Sequence, residues 1–168
     1  MHIREFQLGD EADLHVVFRS AVHEIASKDY TPEQIEAWAP ASFDSEVWAK
    51  RMQGIHPFVV EHNAKLVAYA DVQPTGYIDH FFVSGPFART GIGTLLMNRI
   101  HETASARGIE VLTSDVSRTA QPFFARFGFI VNEQKASVVR GVTVKNALMR
   151  CELTANPSFK RTRLRRSA

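Results

Sequence analysis

The sequence predicts an α+β fold in which about four helices flank a mixed, mostly antiparallel sheet of about seven strands. Three observations lead to this prediction. Apolar residues recur with a helical period after a short first strand, and they alternate as in strands between residues 57 and 83. The third observation is the order of elements: a strand, helices, three strands, a helix, a strand, a helix and two strands. This order differs from the regular alternation of strands and helices in a doubly wound nucleotide-binding fold.

The N-terminal part is predicted to contain a strand over residues 2–7 and three helices. Apolar residues at i, i+3, i+4 and i+7 follow Asp10 and predict the first helix. Thr31, with Gln34 three residues later, forms a capping box that predicts the start of the second helix. The third helix is predicted to end at Gly54, because glycine favours helix termination.

The rest of the chain is predicted to supply the sheet and its remaining helices. Two strand-like segments flank Asn63 and Ala64, which favours an antiparallel hairpin. An apolar stripe after Gly91 predicts a helix that ends at Gly108. Alternation and glycine stops predict the other elements, which are strands over 77–83, 109–116, 129–139 and 142–153 and a short helix over 119–127.

Length and charge bound the class of protein. With 168 residues, 45% of them hydrophobic, the chain is long enough for a single domain, which we expect to span residues 1–153. The net charge of +2 conceals a basic terminus. The last nine residues carry five basic and no acidic side chains, so residues 1–159 hold 15 basic and 18 acidic ones. We expect residues 154–168 to form a flexible basic tail, and nucleic-acid binding by this tail is the less favoured interpretation.

Several classes of protein do not fit the sequence. The single cysteine, Cys151, rules out an intramolecular disulfide and favours a reducing compartment. The N-terminus has no signal-peptide pattern, and no apolar run reaches the ~18 residues that span a bilayer. We therefore expect a cytoplasmic protein that does not enter a membrane. The seven histidines lack the spacing of metal ligands, so no metal site is predicted.

The segment FFVSGPFARTGIG, residues 81–93, runs from a predicted strand through a G-x-G pair into a helix. It is not a Walker loop, because no Gly-Lys pair occurs, and it lacks the third glycine of a dinucleotide-binding fingerprint. What remains is an anion site at a helix N-terminus. The amides around Gly91, Gly93 and Thr94 would face the anion, and Arg89 would add a guanidinium group.

Together with a second motif, this loop resembles that of the GNAT superfamily of acyl-CoA N-acyltransferases. The second motif is SRTAQPFFARFGF, residues 117–129, with a polar residue after a strand, an alanine, two aromatic residues and a terminal Gly-Phe. The resemblance covers residues 2–153. The segments YTPEQIEAWA and TAQPFFARFGF extend it to small bacterial acetyltransferases of the YafP type.

The resemblance implies a GNAT fold and an enzyme that uses acetyl-CoA. In this family the glycine loop binds the CoA pyrophosphate, and the preceding strand supplies amides to the pantetheine arm and to the oxyanion of the reaction. Carried over to this chain, the cofactor-binding residues would be Phe81, Phe82, Val83, Ala88, Arg89, Thr90, Gly91, Ile92, Gly93, Thr94, Ser117, Phe123, Phe124 and Arg126.

Two positions depart from the family pattern. The family's loop begins with Gln or Arg where this chain has Ala88, so Arg89, one residue further, would have to supply the charge. The family often has a tyrosine acid at the position of Phe124, and phenylalanine has no proton to donate. A thiol pKa lies near ~8.5, so CoA thiolate can leave without a dedicated acid.

The segment YIDHFFV, residues 77–83, contains the candidate catalytic residues. An attacking amine with a pKa of ~10.4 is protonated at neutral pH, so a base has to take its proton. Asp79 is the first candidate, because apolar neighbours would favour its protonated form; an aspartate that only accepts from loop amides is the alternative. His80 is a second candidate, with a purely structural histidine as the alternative. Tyr77 is the candidate to replace the missing acid.

The acceptor pocket is expected beside the strand of Tyr77, with His23, Tyr30 and Trp38 as its candidate residues. Whether Trp38 forms a pocket wall or belongs to the core stays open. The leading hypothesis is direct acetyl transfer from acetyl-CoA to the primary amine of a small molecule. A CoA-binding sensor or interaction module without catalysis is the alternative, and acetylation of a macromolecule guided by the basic tail is another. The sequence also leaves the oligomeric state open, including a homodimer.

Overall fold

The computed structural model describes residues 1–153, which contain five α-helices and eight strands. The helices are α1 (Glu11–Ser20), α2 (Pro32–Trp38), α3 (Ser45–Ile55), α4 (Ile92–Ala106) and α5 (Gln121–Ala125). The strands are β1 (His2–Glu5), β2 (Phe58–His62), β3 (Lys65–Ala70), β4 (Tyr77–Ile78), β5 (Phe81–Val83), β6 (Val111–Ser117), β7 (Ile130–Val139) and β8 (Val142–Glu152). The predicted basic tail, residues 154–168, lies outside the described residues.

The N-terminal helices begin at the predicted caps. At the start of α2, the Thr31 hydroxyl accepts from the Gln34 N–H at 3.2 Å, and the Gln34 side chain accepts from the Thr31 N–H at 2.9 Å. At the start of α3, one carboxylate oxygen of Asp44 accepts from two backbone N–H groups. Helix α1 continues as a π-helical turn over Ala21–Ile25. Such turns are frequent at functional sites.

The strands form two four-stranded sheets instead of the one sheet that the sequence predicts. The first has the order β1-β2-β3-β5 and is antiparallel. The second has the order β4-β6-β8-β7, in which only β4 and β6 are parallel among the described strands. The predicted hairpin between β2 and β3 is confirmed. Its two turn residues have the positive φ angles that such a turn needs, 49° at Asn63 and 57° at Ala64.

The single strand predicted over residues 77–83 is wrong, because the segment divides into β4 and β5. β4 pairs with β6, whereas β5 pairs with β3. Between them, Asp79 and His80 donate their backbone N–H groups to one carboxylate oxygen of Asp71 at 3.1 and 2.6 Å. A side chain thus takes hydrogen bonds that a regular ladder would use. We call Asp79 and His80 the β4–β5 junction.

Helices cover both faces of the sheets. On one face, which we call the α4 face, α4 shares a buried cluster with Ile78. On the opposite face, the α1 face, α1 shares a second cluster with Tyr69 of β3. Successive β5 side chains alternate between the two: Phe81 and Val83 pack on the α4 face, and Phe82 packs on the α1 face.

Candidate active site

Strand β5 has one edge that faces away from β3. The Ser84 N–H donates to the Val67 carbonyl at 2.9 Å, which fixes the register of the two strands. Since the N–H groups of an antiparallel strand alternate in direction, this register turns the Phe82 amide toward β3. The amides of Phe81 and Val83 then point to the opposite edge.

That opposite edge borders a gap, because β5 and β6 diverge. The last pair between β4 and β6 is Ile78 with Ser114, and within residues 1–153 no pairing joins β5 to β6. Of the three β5 amides expected to contact CoA, those of Phe81 and Val83 face this gap. The expectation for the Phe82 amide is wrong, because its N–H belongs to the ladder with β3.

Glycine is favoured at Gly91 and at Gly93, near the start of α4, for two different physical reasons. Gly91 has a φ of 90°, which glycine adopts at little cost, and it directly precedes α4. A Cβ on Gly91 would meet nothing within 4 Å, so the space in front of the helix is open. A Cβ on Gly93 would lie 3.1 Å from the Phe123 ring, so this glycine lets α5 approach α4 closely.

The N-terminus of α4 offers hydrogen-bond donors to this open space. The N–H groups of Ile92, Gly93 and Thr94 belong to the first helical turn and have no acceptor within the helix. The helix dipole adds a partial positive charge at the same end. Arg89 is exposed, with a φ of 62°, whereas the Thr90 hydroxyl donates to a carbonyl inside the loop at 2.6 Å. These groups suit an anion.

Helix α5 closes the α4 face of β5 with aromatic rings. The ring centroids of Phe123 and Phe124 each lie 5.4 Å from that of Phe81. Phe124 is only 2% exposed, so the position where the family often has a tyrosine acid is part of the core here. Arg126 lies over the Phe123 ring at 5.6 Å and is exposed. The Ser117 hydroxyl accepts an N–H of the turn that leads into α5 at 3.2 Å.

A short contact joins α1 to the loop before α4. The Ser20 hydroxyl accepts from the Gly85 N–H at 2.9 Å and donates to Glu24 at 2.7 Å. A Cβ on Gly85 would lie 2.7 Å from the Cβ of Glu24, closer than such atoms approach each other, so the position beneath this side chain favours glycine.

Asp79 does not lie among apolar neighbours, and this part of the prediction is wrong. Its Oδ2 accepts from Arg51 Nη2 at 2.8 Å. The side chains of Asp79 and Arg51 are 22% and 53% exposed, so the ion pair is in contact with solvent. A proton from an amine would have to compete with Arg51 for this carboxylate.

His80 is held as a structural side chain. Its Nε2 accepts from Arg51 Nε at 3.0 Å, so the neutral ring carries its proton on Nδ1, which donates to the Tyr69 hydroxyl 2.9 Å away. Burial, with a smaller effect from the Arg51 charge, lowers the His80 pKa to about 3. The ring is therefore neutral near pH 7, but its lone pair is already occupied.

Asp71 is a functional candidate that the sequence prediction missed. It is fully buried, and its carboxylate holds the β4–β5 junction and accepts from Gln73 Nε2 at 2.5 Å. Burial raises the Asp71 pKa to about 6, although the hydrogen bonds from Gln73 and His80 oppose this effect. A single acidic residue in the apolar run LVAYADV, residues 66–72, was the signal that could have identified it.

Replacing Asp71 by asparagine is expected to flatten the pH dependence of stability. The Asp71 pKa rises on folding from 3.8 to about 6, so between these values the folded state holds a proton that the unfolded chain has released. The free energy of unfolding should therefore fall as the pH rises from about 4 to about 6, by about 3 kcal/mol for this group. Urea unfolding over this range should show a smaller fall in Asp71→Asn. Asp13→Asn, at an exposed position of α1, is the control. An unchanged profile in Asp71→Asn would contradict the assignment.

A second missed residue, Asp115 of β6, lies on the α1 face beside Tyr77. Asp115 Oδ2 accepts from the Tyr77 hydroxyl at 3.1 Å, and Oδ1 accepts from Lys135 Nζ of β7 at 2.9 Å. Burial and the Asp115 charge raise the Tyr77 pKa to about 12. The sequence signal was the alternation in VLTSDVS, residues 111–117, which turns Asp115 away from the buried side chains.

The three predicted acceptor residues lie on the α1 face, but they differ in what they contact. Trp38 packs edge-on against Tyr30 and Phe82, with centroid distances of 5.6 and 6.4 Å, and is half-buried. The Tyr30 hydroxyl donates to the Lys145 carbonyl at 2.7 Å and is therefore fixed. His23 Nε2 donates to a backbone carbonyl at 2.7 Å. Trp38 is the one of the three that contacts β5.

Residues 1–153 contain no group of three or more His, Cys, Asp or Glu side chains that could hold a metal ion. In this part of the chain, no helix is long and apolar enough to cross a membrane.

Known proteins that are similar to this chain are acetyltransferases. The model of the acetyltransferase (GNAT) domain family matches residues 26–153. The uncharacterized N-acetyltransferase YafP of Escherichia coli (strain K12) is 34% identical over 150 residues, which cover 89% of this chain and 95% of YafP. The chain belongs to the GNAT acetyltransferase family. The predicted family and fold are thus confirmed.

Two solved structures illustrate the similarity within the GNAT family. A GCN5-related N-acetyltransferase from Rhodopseudomonas palustris superposes with a TM-score of 0.86 at 27% identity, covering 90% of this chain and 94% of that one. YncA of Salmonella typhimurium, solved with its cofactor acetyl-CoA, superposes with a TM-score of 0.65 at 19% identity, covering 91% and 94%. At this lower identity, the likeness to YncA concerns the fold.

Proposed function

We propose that this GNAT protein transfers the acetyl group of acetyl-CoA to the primary amine of a small molecule, by direct attack and without a covalent enzyme intermediate. One observation carries the proposal: the loop of residues 84–91 connects the open edge of β5 to the N-terminus of α4. A donor with an anionic end and an amide-bearing arm matches these two features. The acetyl-CoA bound by YncA is such a donor.

The donor end of the site is assigned to the loop and to α4. The N–H groups of the first α4 turn would hold phosphate oxygens, and Arg89 would add the charge that Ala88 lacks. The amides of Phe81 and Val83 would pair with the pantetheine arm and stabilise the oxyanion that forms during transfer. Acetyl-CoA supplies the activated acyl group.

Asp115 is the residue that we assign to the acceptor amine. It is the first β6 residue beyond the last pair with β4, and its side chain is 30% exposed. Its carboxylate is ion-paired with Lys135, as that of Asp79 is with Arg51, so the acceptor would compete with a cation at either residue. At Asp115 the carboxylate would bind an ammonium group and take a proton as the amine attacks. Asp79 remains the competing candidate for this base.

Tyr77 is assigned to positioning the Asp115 carboxylate and not to the role of general acid. Its pKa of about 12 keeps the hydroxyl protonated and able to donate to Asp115 Oδ2. A thiol has a pKa near ~8.5, so proton transfer from Tyr77 to the leaving thiolate would be unfavourable. The thiolate can leave unprotonated, which agrees with an apolar Phe124 at the position of the family's acid.

Calorimetric titration with acetyl-CoA tests the donor, and release of free thiol with a panel of small primary amines tests the reaction. We expect saturable binding in the micromolar range and thiol release with at least one amine. No binding at millimolar acetyl-CoA would overturn the proposal. Tight binding without thiol release would instead favour the non-catalytic CoA-binding module, for which the buried Phe124 is the supporting observation.

A further inference from the structure

A cleft lies beside the end of β6 and is separate from the glycine loop. Its volume is about 530 Å³, and it is bordered by the segment before α2, by the residue after β6 and by β8. Its charged lining residues are Lys28, Asp29, Arg118 and Lys145. Tyr30 and Gln34 contribute polar groups to the same cleft.

The charges of this cleft are not balanced. Three cationic side chains line it, those of Lys28, Arg118 and Lys145, and within residues 1–153 none of them forms an ion pair. Asp29 is the single carboxylate among the lining residues. A concave surface with an excess of one charge concentrates ions of the opposite sign. The cleft therefore favours an anionic group.

The walls of the cleft are held in place. The Tyr30 hydroxyl donates to the Lys145 carbonyl at 2.7 Å and accepts from the Arg118 N–H at 2.8 Å, so one side chain joins β8 to the end of β6. Gln34 Nε2 donates to the Thr143 carbonyl at 3.0 Å and ties α2 to β8. A site with fixed walls loses little conformational entropy when it binds a ligand.

The cleft lies within reach of the position assigned to the amine. Arg118 follows Asp115 by three residues, which corresponds to about 10 Å along an extended chain. Tyr30, at the cleft, contacts Trp38, and Trp38 contacts Phe82 of β5. A small molecule could thus extend from Asp115 past Trp38 and Tyr30 to the cleft.

We infer that this cleft binds an anionic group of the acceptor, so that the acceptor is an amine with a carboxylate or phosphate group about 10 Å from its nitrogen. This inference rests on the proposed function, because it takes Asp115 as the site of the amine. Both anions would be bound by the same cationic side chains.

The test compares amines that differ only in the distal group. Thiol release is measured with 8-aminooctanoate, 8-aminooctyl phosphate and octylamine. We expect kcat/KM to be about tenfold higher for one or both anionic amines than for octylamine, and added salt should reduce the difference. The anion with the larger preference identifies the group that the cleft takes. Equal values for all three amines would overturn the inference.

A variant with Lys28→Gln, Arg118→Gln and Lys145→Gln links the preference to the cleft. It should lose the preference for anionic amines while its kcat/KM with octylamine stays within a factor of about two. Lys65→Gln, at the exposed first residue of β3, is the control and should keep the preference. If the triple variant kept the preference for anionic amines, the inference that the cleft binds their anionic group would be wrong.

A binding measurement separates this inference from the proposed function. Equilibrium titration of 8-aminooctanoate and octylamine needs no acetyl transfer. If no amine releases thiol but the wild-type protein binds 8-aminooctanoate more tightly than the triple variant does, the proposed function fails and the anion site stands. If thiol is released but the two proteins do not differ in binding or rate, the anion site fails alone.

Discussion

Asp115→Asn should lower kcat/KM for the acceptor amine at neutral pH by about 10²- to 10⁴-fold, the range expected when a general base is removed. Asparagine keeps an oxygen that can accept from Lys135, and its amide group can donate to the Tyr77 oxygen. The two contacts that orient Asp115 are therefore retained, and the negative charge is what is lost. Steady-state thiol release as a function of pH measures the effect. The loss should be smallest at high pH, where more of the amine is already neutral.

Asp79→Asn is the matched comparison for Asp115→Asn, because both remove one carboxylate charge near the β4–β5 junction. Asp79→Asn also removes the charge of the ion pair with Arg51, which is exposed to solvent and contributes little to stability. We expect its kcat/KM to stay within about fivefold of the wild-type value. Both variants should bind acetyl-CoA like the wild-type protein. A large loss in Asp79→Asn together with a small one in Asp115→Asn would reverse the assignment of the base.

Gly91→Asp should abolish detectable binding of acetyl-CoA at millimolar concentration. The new carboxylate would stand at the N-terminus of α4, where the donor phosphates are assigned, and two negative groups repel each other there. The positive φ of 90° adds strain to any non-glycine residue, on the order of 1–2 kcal/mol. Calorimetry measures the affinity, and circular dichroism with thermal melting confirms that the variant is folded.

Gly91→Ala separates the charge from the strain. Alanine has the same backbone strain, and its Cβ would meet no atom within 4 Å, so its affinity for acetyl-CoA should fall by less than about tenfold. If folded Gly91→Asp bound acetyl-CoA with wild-type affinity, the assignment of the phosphates to the N-terminus of α4 would be wrong. Equal losses in the two variants would mean that loop conformation, and not charge, determines binding.

Local signals in the sequence were sufficient for most elements but not for the break in the central strand. The capping box of Thr31 and the hairpin turn at Asn63 depend on neighbouring residues, and both formed as predicted. The strand predicted over 77–83 has an unbroken strand-like pattern. Its division depends on Asp71, which follows strand β3, and a side chain outside the segment leaves no periodic signal in the segment itself.

The candidate site also contains residues whose roles could be predicted from the sequence and residues whose roles could not. The glycine loop could be predicted because helix N-termini and positive φ angles require particular residues nearby in sequence. The roles of Asp79 and His80 could not, since Arg51 is 28 residues from Asp79 and 29 from His80. Asp115 was within reach of the sequence, because its position in an alternating strand already turned it from the core. Its contacts with Tyr77 and Lys135 required the three-dimensional arrangement.

Because of the β4–β5 junction, strands β5 and β6 are already separated in the folded protein before any substrate binds. An enzyme that parted its sheet only when substrate arrived would lose part of its binding energy in doing so. Here the buried Asp71 carboxylate holds the strands apart. Its unfavourable desolvation lowers the free energy of unfolding whether or not substrate is bound. The protein is expected to be least tolerant of further destabilising substitutions around Asp71 under neutral or alkaline conditions, where that carboxylate is ionised. Substitutions that stabilise the protein by restoring a continuous strand at residues 79–80 would close the gap between β5 and β6.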